Sequence, residues 1–220
     1  MAKASEVLGE RWMLLVLREL FAGATRYAEL QRGLGRISPS VLSARIKTLI
    51  ERGLVERIRA ETGTGWQYRL TPSGDELRPV IEGIGAWGQR WVRSRMSNDE
   101  LDVELLMLHL QRNFNCAAFG QDHAVVAIVF SDLQGELRRW WLLVDGDHVE
   151  LCAQPSGRAE DVTMTCRLRT MSEIFIGDTT LQDAIAASRL VVKGPIKLTR
   201  NMRHWLQPSP LATIPAAARS

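Results

Sequence analysis

Apolar side chains recur at helical spacing from Glu6 to Phe21, where Val7, Leu8, Met13, Leu14, Leu15, Val16, Leu17, Leu20 and Phe21 predict one long helix buried on more than one side. Gly23 stops it, and Tyr27 to Leu34 predicts a short second helix closed by Gly35. A third helix is punctuated at both ends: Ser38 suits the N-cap, Pro39 the first helical position, and Gly53 the left-handed position after the end. Leu42, Ile46, Leu49 and Ile50 form its apolar stripe, which turns Ser40, Ser43, Ala44 and Lys47 to the opposite side. Leu54 to Ala60 and Trp66 to Leu70 then read as two strands joined by a turn at Glu61 to Gly65, with Trp66, Tyr68 and Leu70 sharing a face. After Pro72 another helix carries Leu77, Val80, Ile81, Ile84, Trp87 and Trp91. Trp87 and Trp91 lie one turn apart and suit either a dimer interface or a cover for the first helix of the same chain.

The pattern changes near residue 97. Ser97 to Glu100 is a capping-box pattern that predicts a helix from Leu101, with Leu105, Leu106, Leu108 and Phe114 on it. Strand-like runs follow at 124–130, 138–144, 148–153 and 162–168, separated by turns at Gly135, Gly146 and Gly157. Within the last run Val162, Met164, Cys166 and Leu168 face one way and Thr163, Thr165 and Arg167 the other, as in a half-buried antiparallel sheet. Helical segments at 171–176 and 181–188, a short strand at 190–192 and a helix at 195–206 complete the order. The expected fold is α+β in two domains, residues 1–95 and 96–210, with a flexible tail at 211–220.

An ordinary solvated helix face would carry Glu and Lys where the third helix has Ser40, Ser43 and Ala44, because long charged side chains are better helix formers. Short ones permit close approach to a surface, and in a major groove about 12 Å wide they bring backbone amides and hydroxyls to phosphates and base edges. Taken alone, the helix suits a reader or a plain surface equally. The hairpin tips the balance. Its Arg57, Arg59 and Arg69 would reach the neighbouring backbone or minor groove when the preceding helix lies in the major groove. Ser38, Ser40, Ser43, Ala44, Lys47, Arg57, Arg59, Thr62, Thr64 and Arg69 are the expected contacts to double-stranded DNA.

Charge agrees once it is divided along the chain. The whole carries a net +3, but residues 1–98 hold 16 basic and 10 acidic side chains, a balance of +6, whereas residues 99–220 hold 12 and 15, a balance of −3. A polyanion site therefore belongs to the first half. The run of segments Gly9 to Leu20, Tyr27-Ala-Glu-Leu30, Ile37 to Arg45, Gly53 to Arg57 and Tyr68 to Leu77 resembles the HxlR family of bacterial winged-helix, MarR-like regulators over residues 7 to about 92. The resemblance implies a dimer on a palindromic operator, with the recognition helix at Ser38–Arg52 and the wing at Arg57–Arg69. Members of that family usually carry a cysteine shortly before the first helix; this chain has none there, which argues against thiol sensing at that place.

The stretch Ile176 to Leu198 resembles the sterol carrier protein type two-like domain, over roughly residues 101–207. That resemblance implies an apolar tunnel and, here, a fatty acyl or other lipid-like effector. Trp141, Leu143, Met164, Cys166, Phe175, Ile176, Met202 and Trp205 are the residues expected near such a pocket, with ordinary core as the competing reading of each. Trp140 and Trp141, being consecutive, must point to opposite faces of a strand. A C-terminal domain that only dimerises or docks a protein, or a lipid carrier, are the alternatives.

Catalysis finds no support. His109, His123, His148 and His204 are isolated, no HExxH, GxSxG or P-loop pattern occurs, and Asp145-Gly146-Asp147 reads as turn chemistry, so no catalytic residue, metal or cofactor is expected. Cys116, Cys152 and Cys166 are widely spaced in apolar stretches, as buried reduced thiols are. With no run of eighteen apolar residues and no secretory pattern at the N-terminus, the expected location is the cytoplasm, without membrane insertion.

Overall fold

In the computed structural model, which describes residues 1–35, 37–60, 64–92 and 97–217, the single helix expected over residues 6–21 is two: α1 (Ala2–Leu8) and α2 (Met13–Phe21). The break has local causes that periodicity does not register. Trp12 adopts a left-handed φ of 77°, and a Cβ at Gly9 would lie 2.5 Å from Ser5 O. A tertiary tie holds the break: Arg45 pairs with Glu10 and its Nε donates to Arg11 O at 2.8 Å. Helix α2 buries Met13, Val16, Leu17 and Leu20 against α3 (Tyr27–Gly33) and α4 (Pro39–Glu51), whose Leu42, Ile46 and Leu49 close the core. Strands β1 (Val55–Arg59) and β2 (Trp66–Leu70) pair antiparallel, from Val55 opposite Leu70 to Arg59 opposite Trp66.

The helix expected from Pro72 is also divided, into α5 (Pro72–Asp75) and α6 (Arg78–Trp91). Thr71 explains where the short turn sits. Its Oγ1 accepts the Gly74 N–H at 3.1 Å and donates to Gly53 O at 2.6 Å, fastening α5 to the end of the α4 loop. Gly74 is there because a Cβ would fall 2.0 Å from Leu54 O. Helix α6 buries none of its residues and exposes Val80, Ile84, Trp87 and Trp91.

The chain divides into two compact units, Met1–Trp87 and Gly88–Ser220. In the second, Ser97 forms its capping box on a short 3-10 turn, Asn98–Glu100, and not on the helix expected there. That helix, α7 (Val103–Arg112), starts two residues later, because Asp102 Oδ1 accepts the Leu105 N–H at 3.1 Å and supplies the cap. Then come α8 (Cys116–Phe119), β3 (His123–Phe130), β4 (Arg139–Asp145), β5 (His148–Cys152), β6 (Val162–Cys166), α9 (Leu168–Ile176), α10 (Leu181–Ala186) and β7 (Leu190–Lys193). The helix expected at 195–206 is two short ones, α11 (Ile196–Arg200) and α12 (Met202–Trp205), parted at Asn201, whose Nδ2 donates to Ala118 O at 2.7 Å.

The five strands lie in the order β5-β4-β3-β6-β7. Neighbours are antiparallel except β3 and β6, which run parallel at the centre because the β4–β5 hairpin intervenes and the chain crosses back before β6. Asp161 fixes that return: its Oδ2 accepts the Val125 N–H at 2.8 Å and its own N–H donates to Val125 O at 2.9 Å. One sheet face, with Val126, Ile128, Trp140, Leu142, Met164 and Cys166, packs on Met107, Leu110, Phe119, Phe175, Met202 and Trp205 of the helices. The other face holds a smaller cluster of Val125, Ala127 and Trp141, with Leu143 and Cys152 beside them. Past the last helix, Ser209 N–H donates to Phe175 O at 2.8 Å and Pro210–Thr213 makes a 3-10 turn against α9.

Candidate nucleic-acid interface

Helix α4 is built to show its first turns. Ser38 Oγ accepts the Val41 N–H at 3.4 Å, Pro39 occupies the first position, and Ser38, Ser40, Ser43, Ala44 and Lys47 are all exposed. Tyr27 of α3 steadies this end: its hydroxyl donates to Pro39 O at 2.8 Å and accepts from Ser43 Oγ at 3.3 Å. Lys47 Nζ stands 3.7 Å from Glu51 Oε1, an exposed i,i+4 pair of the kind worth only a few tenths of a kcal/mol, roughly 0.3–0.5. Such a pair yields readily to a phosphate.

The hairpin adds two fixed cations. Arg57 and Arg59 share a face of β1, and their guanidinium carbons sit 4.4 Å and 4.6 Å from the centre of the Trp66 ring on β2. The indole is thus a platform for both. Exposed cation–π contacts contribute about 0.5–1 kcal/mol each and, more to the point, restrict two long side chains. Trp66 enters the expected set only as a strand residue, yet its place opposite Arg59 follows from the hairpin register. Between α4 and the hairpin lies a cleft of about 450 Å³ lined by Tyr27, Ser43, Ile46, Lys47, Ile50, Glu51, Arg57 and Tyr68. Ser43, Lys47 and Arg57 are therefore gathered at one place.

Not every expected contact joins them. Arg69 pairs with Glu56 across the ladder, on the hairpin face opposite Arg57 and Arg59, so the three arginines do not form one patch. Thr64 is exposed and its carbonyl accepts from Arg26 Nη1 at 3.4 Å. Thr62 lies outside the described residues.

The eight residues expected around an apolar pocket separate into two groups. Trp141 and Leu143 are corrected: they lie on the sheet face away from the helices, because Ile128 of β3 is opposite both Trp140 and Met164, which puts Trp140 and not Trp141 on the helical side. Trp141 Nε1 donates to Glu160 Oε1 at 2.9 Å instead. Met164, Cys166, Phe175, Met202 and Trp205 belong to the helical-side core and Ile176 packs against it. Burial, aided by the charge of Asp132, pushes the Cys166 thiol up to about 12, and burial likewise raises Cys116 and Cys152. Among the described residues no three of His, Cys, Asp and Glu are grouped to hold a metal ion, and no helix is long and apolar enough to cross a membrane.

Two family models match the chain: the HxlR-like helix-turn-helix over residues 7–96 and the SCP-2 sterol transfer family over residues 115–207. An HTH-type transcriptional regulator of Mycobacterium tuberculosis is 40% identical over 91 residues, which are 41% of this chain and 57% of that protein. The chain thus spans little more than half the length of its mycobacterial relatives. The HTH-type transcriptional regulators YvaP and YodB of Bacillus subtilis are 35% and 33% identical, each over 41% of this chain and over 84% and 82% of their own length.

Proposed function

Because the chain belongs to the HxlR-like helix-turn-helix family of transcriptional regulators, we propose that it binds a palindromic operator as a homodimer, with α4 in the major groove and the β1–β2 wing on the flanking backbone. The observation that supports this most is one helix with two unlike faces. Leu42, Ile46 and Leu49 are buried, while Ser38, Ser40, Ser43, Ala44 and Lys47 are open to solvent and run into Arg57 across a shared cleft. A helix that only covered a core would have no reason to keep its outer first turn so short.

Footprinting of the chain's own upstream region, followed by anisotropy titrations on the protected duplex, tests the reading. Arg59→Ala is expected to weaken operator binding about fivefold to tenfold near 0.1 M salt and to reduce the slope of log K against log salt by about one, as loss of one phosphate contact does. Unchanged affinity and slope would place the wing away from DNA.

Two readers are needed because one winged helix covers too few base pairs, and half-sites sit about 34 Å apart. The exposed stripe Val80, Ile84, Trp87 and Trp91 on α6 follows the 4, 3, 4 spacing of a helix-pairing seam and is the proposed dimer surface. Trp87→Glu is expected to convert dimer to monomer in light scattering and to lower operator affinity with it. A dimer of undiminished stability would move the interface elsewhere.

An apolar effector held between the sheet and the helices, shifting the two reading helices, is the proposed role of the C-terminal unit; it rests on the match to the SCP-2 sterol transfer family. The side chains concerned are tightly packed, with Met164 and Trp205 at 0% and Met202 at 2% exposure, so a ligand has to displace them to enter. That packing favours a second reading, a unit that only dimerises or docks a protein. Intrinsic tryptophan fluorescence during titration with fatty acids separates the two, since a silent titration leaves only docking.

A further inference from the structure

The parallel strands β3 and β6 leave the sheet in the same direction, Phe130 into Ser131 and Asp132, Cys166 into Arg167 and helix α9. Crevices at the carboxyl ends of adjacent parallel strands collect ligands because the departing chain presents backbone donors and a helix N-terminus there. Here the crevice is a cleft of about 530 Å³, lined on its inner side by Asp132, Cys166, Arg167, Thr170, Glu173 and Arg189. It is large enough for a small metabolite, whose sites run from about 300 to 1,000 Å³. Of the residues expected around an apolar pocket it takes only Cys166, and the DNA reading does not use it.

Its polar groups are unevenly satisfied. Glu173 is held by Arg189 at 2.7 Å, and Asp132 Oδ1 accepts the Leu168 N–H at 2.9 Å, so both carboxylates are engaged and one of them already sits on the first turn of α9. Thr170, in that same turn, is 5% exposed, yet its hydroxyl and its backbone N–H have no hydrogen-bond partner among the described residues. The hydroxyl is not sealed off, since among the described residues only Gln67 Oε1 is a fully buried side-chain atom without a partner; it opens on the cleft and can donate to an acceptor there. The guanidinium of Arg167, the N-cap residue, likewise makes no ion pair or hydrogen bond among the described residues. Three arginines, Arg167, Arg169 and Arg189, thus stand against two engaged carboxylates.

We propose that this cleft binds the anionic end of a small metabolite, a phosphate or a carboxylate, which accepts from the Thr170 N–H and hydroxyl and pairs with Arg167. The site draws its polar groups from the ends of β3 and β6 and from α9, and of the apolar layer it touches only Cys166, so it would give the C-terminal unit a polar effector. Both acceptors have the geometry of a small planar or tetrahedral oxyanion, and a helix N-terminus favours either.

The test is amide NMR of the full chain titrated with inorganic phosphate and, separately, with acetate at constant ionic strength. The Thr170 amide is expected to shift saturably in at least one titration, and which one identifies phosphoryl or carboxylate chemistry. Arg167→Ala should weaken that apparent affinity about tenfold and Thr170→Val about threefold, as lost charge-assisted and neutral hydrogen bonds do. Arg203→Ala, on α12 away from the cleft, should change nothing. A Thr170 amide unmoved by both anions, or equal losses in Arg167→Ala and Arg203→Ala, overturns the proposal; the exposed Arg167 keeps the test decisive should Thr170→Val fold poorly.

Discussion

Ser40→Glu is expected to abolish operator binding while leaving the fold intact or slightly firmer. Ser40 is the second residue of α4, exposed, with its Oγ 3.2 Å from Ser38 Oγ. A carboxylate in a first helical turn complements the helix dipole and stabilises by about 0.3–1 kcal/mol, so a thermal melt should not fall. Toward a duplex the same carboxylate is repelled by the phosphates and fills space that the short hydroxyl left open. Juxtaposed like charges at an interface cost several kcal/mol, which corresponds to a loss of about a hundredfold or more. Anisotropy on the footprinted duplex measures it, with Ser40→Ala as the control that keeps most of the affinity. Operator binding retained by Ser40→Glu would mean that α4 does not enter the groove, and the proposed function would lose its central support.

Where local chemistry dictates structure, the sequence was readable. Ser38, Pro39 and Gly53 mark α4, and Gly53 takes the left-handed φ of 70° that its position implies. The strands β1 to β7 fall within a residue or two of the expected runs, because alternation, as in β6, or a continuous apolar stretch, as in β3, is a property of each strand by itself. Helix breaks were not readable, since 6–21 and 72–91 keep apolar periodicity across them, while the breaks turn on the backbone conformation at Trp12 and on ties from Arg45 to Glu10 and Arg11 and from Thr71 to Gly53. The phase between strands was not readable either. Alternation says that Trp140 and Trp141 part company, but only the β4–β3–β6 register says which of them joins Met164. The same limit explains Arg69. Its parity against Arg57 depends on the hairpin register, and composition alone made three arginines look like one patch.

The face that Trp141 occupies also shows how a misplaced aromatic is satisfied. Glu160 accepts from Arg139, from Trp141 Nε1 at 2.9 Å and from Thr163 Oγ1 at 3.0 Å. Burial works against its charge, but those hydrogen bonds and the Arg139 charge prevail and hold the carboxyl below the usual range. A depressed acid stabilises the fold above its unfolded value and ceases to as pH falls through the folded one, so this knot loosens only in acid. The indole is therefore fixed to its own domain and not reserved for an apolar guest.

Trp205→Ala is expected to be the most destabilising single change in the C-terminal unit. The residue is fully buried, its Nε1 donates to Leu198 O at 3.0 Å, and its ring meets Phe114 at 5.2 Å and Phe119 edge-on at 5.1 Å. Removal leaves a cavity between α8 and α12, an unmatched carbonyl at Leu198 and two phenyl rings that keep only each other, 5.3 Å apart. Truncations of this kind cost about 3–5 kcal/mol, and at about 2–4 °C per kcal/mol for chains of this size the melting transition should drop by roughly 10 °C or more. Trp205→Phe should recover part of the loss by filling the cavity without restoring the hydrogen bond. Differential scanning calorimetry of the two variants separates core from pocket. An open pocket already lacks contacts on one side of the ring, so a drop of only a degree or two in Trp205→Ala would show that the apolar layer is loosely filled, and the effector reading would then prevail over simple docking.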